Sequence, residues 1–107
     1  MNFLGEKLWH RIKKEINAYY YRKHLKANFV EAEKMRPKIV QFLELKRIRY
    51  IIQIRKGYEP EWPNVVIDVQ VDMKSFKKIL DLWAEIDKVA YLPSYSGDVY
   101  IHVDQLV

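Results

Sequence analysis

The sequence predicts an α+β domain: a two-layer sandwich in which helices cover one face of an antiparallel sheet of three to four strands. Two stretches repeat apolar residues every three or four positions, Leu4 to Tyr20 and Met73 to Ile86, which is the period of an amphipathic helix. Three others alternate apolar and polar residues, over 48–55, 65–71 and 99–103, which is the period of a half-buried strand. Strands with one apolar and one polar face belong to a sheet covered on one side, so the helices should share that side.

The first element is a long amphipathic helix from Phe3 to about Tyr21. Leu4, Leu8, Trp9, Ile12, Ile16, Tyr19 and Tyr20 fill one side of its wheel, and Lys7, His10, Arg11, Lys13, Lys14, Asn17 and Tyr21 fill the other. The stripe, and the packing expected of it, ends near Tyr21.

Residues 25–46 support two readings. Phe29, Ala32, Met35, Ile39 and Leu43 follow a helical stripe, and Asn28 with Glu31 has the spacing of a capping box, which favours a helix starting after Asn28. Pro37 opposes it, because a proline inside a helix removes one hydrogen bond and clashes with the preceding turn, at a cost of ~3 kcal/mol. The rival reading makes 25–32 a strand and starts the helix at Pro37, a good first-turn residue.

Ile48, Tyr50, Ile52 and Ile54 alternate with Arg49, Gln53 and Arg55; after a loop holding Gly57, Pro60 and Pro63, Val65, Ile67, Val69 and Val71 alternate with Asp68, Gln70 and Asp72. The two strands read as a β-hairpin. Keeping Ile54 and Ile67 on one face requires partners whose numbers sum to an odd value near 121, with Gln53 opposite Asp68 and Arg49 opposite Asp72. Asp72 then stands where it can cap a helix whose stripe is Met73, Phe76, Ile79, Leu80, Trp83 and Ile86, with Trp83 in the core. A turn with Pro93, Ser94, Ser96 and Gly97 leads to a last strand, where Val99, Ile101 and Val103 alternate with Tyr100, His102 and Asp104. If 25–32 is a strand, the order becomes βαββαβ, a ferredoxin-like variant with an added N-terminal helix.

A chain of 107 residues is the size of a single domain, here 1–107 with a basic helical part (1–47) and a sheet and helix part (48–107). Its apolar half suffices for a core, and the absence of cysteine removes disulfides, thiolate metal sites and a thiol nucleophile together. No segment has the roughly 20 apolar residues of a membrane span, and Met1 to Trp9 lacks the apolar run of a signal peptide. The default location is the cytoplasm.

The net charge of +5 hides a division. Residues 1–57 hold 15 Lys and Arg against 5 Asp and Glu, a net of +10, and residues 58–107 hold 4 against 9, a net of −5. Such asymmetry marks a nucleic-acid face, a partner face or an internal match between elements.

No motif identifies an enzyme. Gly5, Gly57 and Gly97 stand too far apart for a phosphate-binding loop. Ser75, Ser94 and Ser96 lie in no nucleophile elbow, and His10, His24 and His102 lack metal-ligand spacing. Asp68, Asp72, His102 and Asp104 share polar strand faces and could hold a hard cation, but Arg49 and Arg55 stand across the hairpin to neutralise them. No cofactor is implied. The densest feature is basic: Arg11, Lys13, Lys14, Tyr21, Arg22, Lys23 and Lys26 bring cations for phosphates together with a ring, on Tyr21, for stacking on bases. In the loop, Tyr58 and Trp62 are either exposed interface anchors or the loop's own small core.

These features point to a small non-enzymatic binding module that contacts DNA or RNA through its basic N-terminal helix, without sequence preference. The alternative is a protein-interaction subunit or homodimer whose basic first half meets an acidic surface, the second half of another copy included.

Overall fold

The computed structural model describes residues 3–92 and 97–107. The elements run α1 (Phe3–Leu45), β1 (Tyr50–Lys56), β2 (Val65–Val71), α2 (Phe76–Ala90) and β3 (Val99–Gln105). The turn read at Pro93, Ser94 and Ser96 lies outside the described residues. The α+β class is the one that the sequence predicts; three of its finer expectations are overturned.

The first correction concerns α1, which is continuous for 43 residues. Residues 25–32 are helical, so the βαββαβ order of a ferredoxin-like variant does not arise, and the helix neither stops near Tyr21 nor restarts after Asn28. Pro37 sits inside it. The local cost of that proline is offset by the fully buried Ala32, Met35, Ile39 and Leu43, which pin the helix to the sheet on both sides of it. Asn28 is no cap either: it is buried in mid-helix, and its Nδ2 donates to the Pro63 carbonyl at 2.6 Å, tying the β1–β2 loop to α1. The helix ends on Arg47, whose positive φ of 57° lets Ile48 N reach the Leu43 carbonyl at 3.0 Å and Arg47 N the Glu44 carbonyl at 3.0 Å.

The second correction concerns the sheet, which has the order β1-β2-β3 and is mixed, not antiparallel. β1 and β2 form the hairpin in the expected odd register, Tyr50↔Val71 through Lys56↔Val65, with Gln53 opposite Asp68. The Asp72 amide donates to the Arg49 carbonyl at 2.9 Å, extending the pairing by one step. β3 runs parallel to β2, from Val65↔Val99 to Val71↔Gln105. The helix between them is the reason: α2 carries the chain back along β2 before β3 begins, so the two strands enter the sheet from the same end.

The third correction concerns α2. Its N-cap is Ser75, whose Oγ accepts from Lys78 N at 3.4 Å, and not Asp72. Its buried face is Ile79, Leu82, Ile86 and Ala90; Phe76 is 74% and Leu80 45% exposed, and Trp83 is half-buried. Apolar residues span more than one side of this helix: Ile79 and Ile86 are buried as expected, and contact with the sheet selects a face about 65° round from the expected centre, which brings in Leu82 and Ala90 and leaves Phe76 and Leu80 outside.

Both helices pack on the same side of the sheet. Their buried residues meet Val65, Ile67, Val69 and Val71 of the central strand and Val99 and Val103 of β3 in one core. The opposite face, with Gln53, Arg55, Asp68, Gln70, His102 and Asp104, is open.

Candidate functional site: the projecting arm of α1

The molecule measures 66 × 27 × 17 Å, with a radius of gyration of 18.8 Å, against the ~13 Å of a compact chain this size. The long axis matches the length of α1, since 43 residues at 1.5 Å each give about 65 Å. Only the second half of α1 lies on the sheet. From Gly5 to Tyr20 every residue is exposed, and Tyr21 is the first that is half-buried.

The sequence explains why the arm stands clear. In the packed half the apolar positions are Leu25, Phe29, Ala32, Met35, Ile39 and Leu43; in the arm they are Leu8, Trp9, Ile12, Ile16, Tyr19 and Tyr20. Counted at 3.6 residues per turn, the centres of these two stripes lie about 175° apart. One straight helix therefore cannot lay both on the same sheet. The arm keeps six large apolar side chains in solvent, Trp9 and Tyr19 each at 57% exposure. A contiguous apolar patch of this kind marks an interaction surface.

The seven residues expected to bind nucleic acid do not share a face. Arg11, Lys14 and Arg22 lie on the side opposite the apolar stripe, Lys13 and Lys26 on its two flanks, and Lys23 on the stripe side, by the same helical count. All six are exposed. Tyr21, expected to point outward as a stacking ring, points inward instead: it is half-buried, with Lys56 Nζ 5.5 Å from its ring centroid, while Tyr19 and Tyr20 are the exposed rings and meet edge to face at 5.7 Å. The reason is again the change of stripe, which begins at Tyr21.

On the open sheet face, Arg55 Nε donates to Asp68 Oδ2, and His102 Nδ1 meets Asp68 Oδ1 at 3.2 Å. The bond to Asp68 raises the pKa of the Arg55 guanidinium, and the Tyr58 ring lies 4.3 Å from that guanidinium. With Gln70 and Asp104 these side chains line a groove of about 320 Å³. Of the acidic residues read from the sequence, Asp68 and His102 are in contact, Asp104 stands beside Gln70 and accepts from Gln105 N at 2.7 Å, and Asp72 sits beyond the end of β2. Among the described residues no three His, Asp or Glu side chains converge as metal ligands. Of the two arginines expected across the hairpin, Arg55, which the register sets opposite Val66 and diagonal to Asp68, makes the ion pair, whereas Arg49, level with Asp72, makes none with these carboxylates.

A larger cavity, about 500 Å³, lies between α2 and the β3 edge, lined by Met35, Trp83, Asp87, Tyr91, Tyr100 and Ile101 among others. Trp83 meets the His102 ring edge to face at 5.3 Å, and burial pushes the Asp87 carboxyl above its ordinary pKa. In the loop, Trp62 Nε1 donates to Asp98 Oδ1 at 3.1 Å, and Lys56 Nζ donates to the carbonyls of Gly57, Glu59 and Trp62. Tyr58 is 87% exposed.

No helix among the described residues is long and apolar enough to cross a membrane. Compared with known proteins, the chain matches no family model, no curated protein and no solved structure.

Proposed function

We propose that this chain is a small non-enzymatic binding module whose binding element is the arm of α1. The observation that carries the reading is the apolar stripe from Leu8 to Tyr20, held in solvent on a helix that its own domain cannot cover. Helical stability in proteins comes mostly from packing an amphipathic face, so a partner that covers the stripe also stabilises the arm. Amphipathic helices that dock into a second surface present anchors at this spacing.

Cross-linking tests this directly. A photoreactive amino acid at Trp9 or Ile12, introduced in the producing cell, should give adducts, whereas the same group at Ile51, exposed on the open sheet face, should give few. Adducts from Ile51 and none from the arm would end this reading.

Nucleic-acid contact is the second reading, favoured by the exposed Arg11, Lys14 and Arg22 on the side away from the stripe. Its signature is an affinity for DNA or RNA that falls steeply as salt rises. Titration with duplex and single-stranded probes at about 50 mM salt decides it: no association would remove it.

A further inference from the structure

We infer that the partner of the arm is the arm of a second copy, packed antiparallel about a two-fold axis level with Lys14. This rests on the arm being the binding element, and it names the occupant. The stripe residues are numbers 8, 9, 12, 16, 19 and 20. They are placed symmetrically about position 14. A two-fold interface requires each residue to meet the counterpart of its own partner, and this spacing supplies it. Leu8 stands level with Tyr20 of the second copy, Trp9 with Tyr19, and Ile12 with Ile16. Large side chains meet at both ends, Trp9 against the Tyr19 ring and Leu8 against the Tyr20 ring, and the slimmer isoleucines meet at the crossing point. Lys14, at the centre by number, lies on the opposite side of the helix and stays in water.

The body of each subunit permits this pairing. It attaches beyond Tyr21 on the face about 175° from the stripe, so the two bodies hang on the outside of the helix pair, one at each end. In this register residues 25–45 of the two copies begin about 33 Å apart along the axis, and the assembly is about 95 Å long.

Charge sets the sign of one test. From Glu6 to Lys23 the arm carries Lys7, Arg11, Lys13, Lys14, Arg22 and Lys23 against Glu6 and Glu15, so two arms repel and their pairing is driven by the apolar stripe. Salt screens that repulsion, so dimerisation should tighten as salt rises, the reverse of nucleic-acid binding.

The experiment is light scattering on the full chain across concentration and salt, with Ile12→Ser/Ile16→Ser as the paired variant. A mass of twice 13.0 kDa is expected at high concentration and high salt, returning to 13.0 kDa in the variant. The chain has no cysteine, so Glu6→Cys gives a single spin-label site; the antiparallel pair places the two labels about 25 Å apart, a parallel pair within about 15 Å. A monomer at every concentration and salt, a dimer that the double variant leaves intact, a larger oligomer, or the shorter label distance would each overturn the inference. A monomer that still gives arm adducts to other molecules in the cell would overturn self-pairing alone and leave the arm as the binding element.

Discussion

Residues 5–20 and 25–45 of α1 share one helical backbone and have comparable apolar content, yet the second segment buries Ala32, Met35, Ile39 and Leu43 and the first buries nothing. Amphipathicity is therefore not a statement about burial. It states that a helix has a side to bury, and the azimuth of that side decides whether the chain itself can cover it. Here the azimuth turns by nearly half a circle near Tyr21, so the packed half works on the fold and the arm is left for something else.

The sharpest way to test that contrast is in the packed half. Ile39 is fully buried against the sheet. Ile39→Ala should cost about 2–5 kcal/mol, a large part of a total of ~5–15 kcal/mol, read as a fall in the denaturant midpoint. An unchanged midpoint would show that this half of α1 is no better anchored than the arm.

The loop that joins the hairpin to α1 comes next. Gly57 is buried, and a Cβ there would lie 2.3 Å from Asn64 Oδ1 and 2.5 Å from its Cγ. Asn64 Oδ1 is itself buried without a hydrogen-bond partner, and the neighbouring Pro63 carbonyl is the acceptor of Asn28. Gly57→Ala should cost about 1–3 kcal/mol through this overpacking. Denaturation curves matching the wild type would mean that Asn64 rotates freely and that the tether to α1 is loose.

A smaller effect is expected beside Trp83. Burial raises the Asp87 carboxyl above its ordinary value of 3.8, so the folded state binds the proton more tightly than the unfolded chain does. Stability at this site is then fully present below the ordinary value and is lost as pH rises through the raised one. Asp87→Asn should melt slightly above the wild type at neutral pH, and the gap should close on acidification. A variant that melts lower at neutral pH would show the charge to be paired rather than penalised.

Much of this fold is legible in the sequence, and the parts that are not have physical reasons. The hairpin register follows from keeping Ile54 and Ile67 on one face, because strand periodicity is strict and a one-residue slip inverts every side chain. The same alternation is blind to strand direction: Val99, Ile101 and Val103 alternate alike in a parallel or an antiparallel neighbour, and only the 15-residue helix between β2 and β3 reveals the crossover. Pro37 misleads because its cost is local while its compensation, the burial of Met35 and Ile39, is tertiary. The arm residues were all legible as a stripe. What the wheel of 3–21 alone could not show is that the helix continues and that its second stripe faces the other way. The basic residues, by contrast, read as a cluster because they are close in number, and a helix disperses close numbers around its circumference.

The least effect on stability is expected in the arm, and its smallness carries the argument. Ile16 is 45% exposed and touches no part of the described core. Ile16→Ala removes a β-branched residue in favour of the best helix former, so the local helix gains a few tenths of a kcal/mol while the body loses no contact. The unfolding midpoint of the body should stay within about 0.5 kcal/mol of the wild type, the range of ordinary surface substitutions. Its consequence should appear instead in association, where a truncated anchor weakens binding to whatever covers the stripe. A loss comparable to that of Ile39→Ala, measured where the chain is monomeric, would mean that the arm folds back on its own domain in solution. The two halves of α1 would then differ in timing of contact and not in kind.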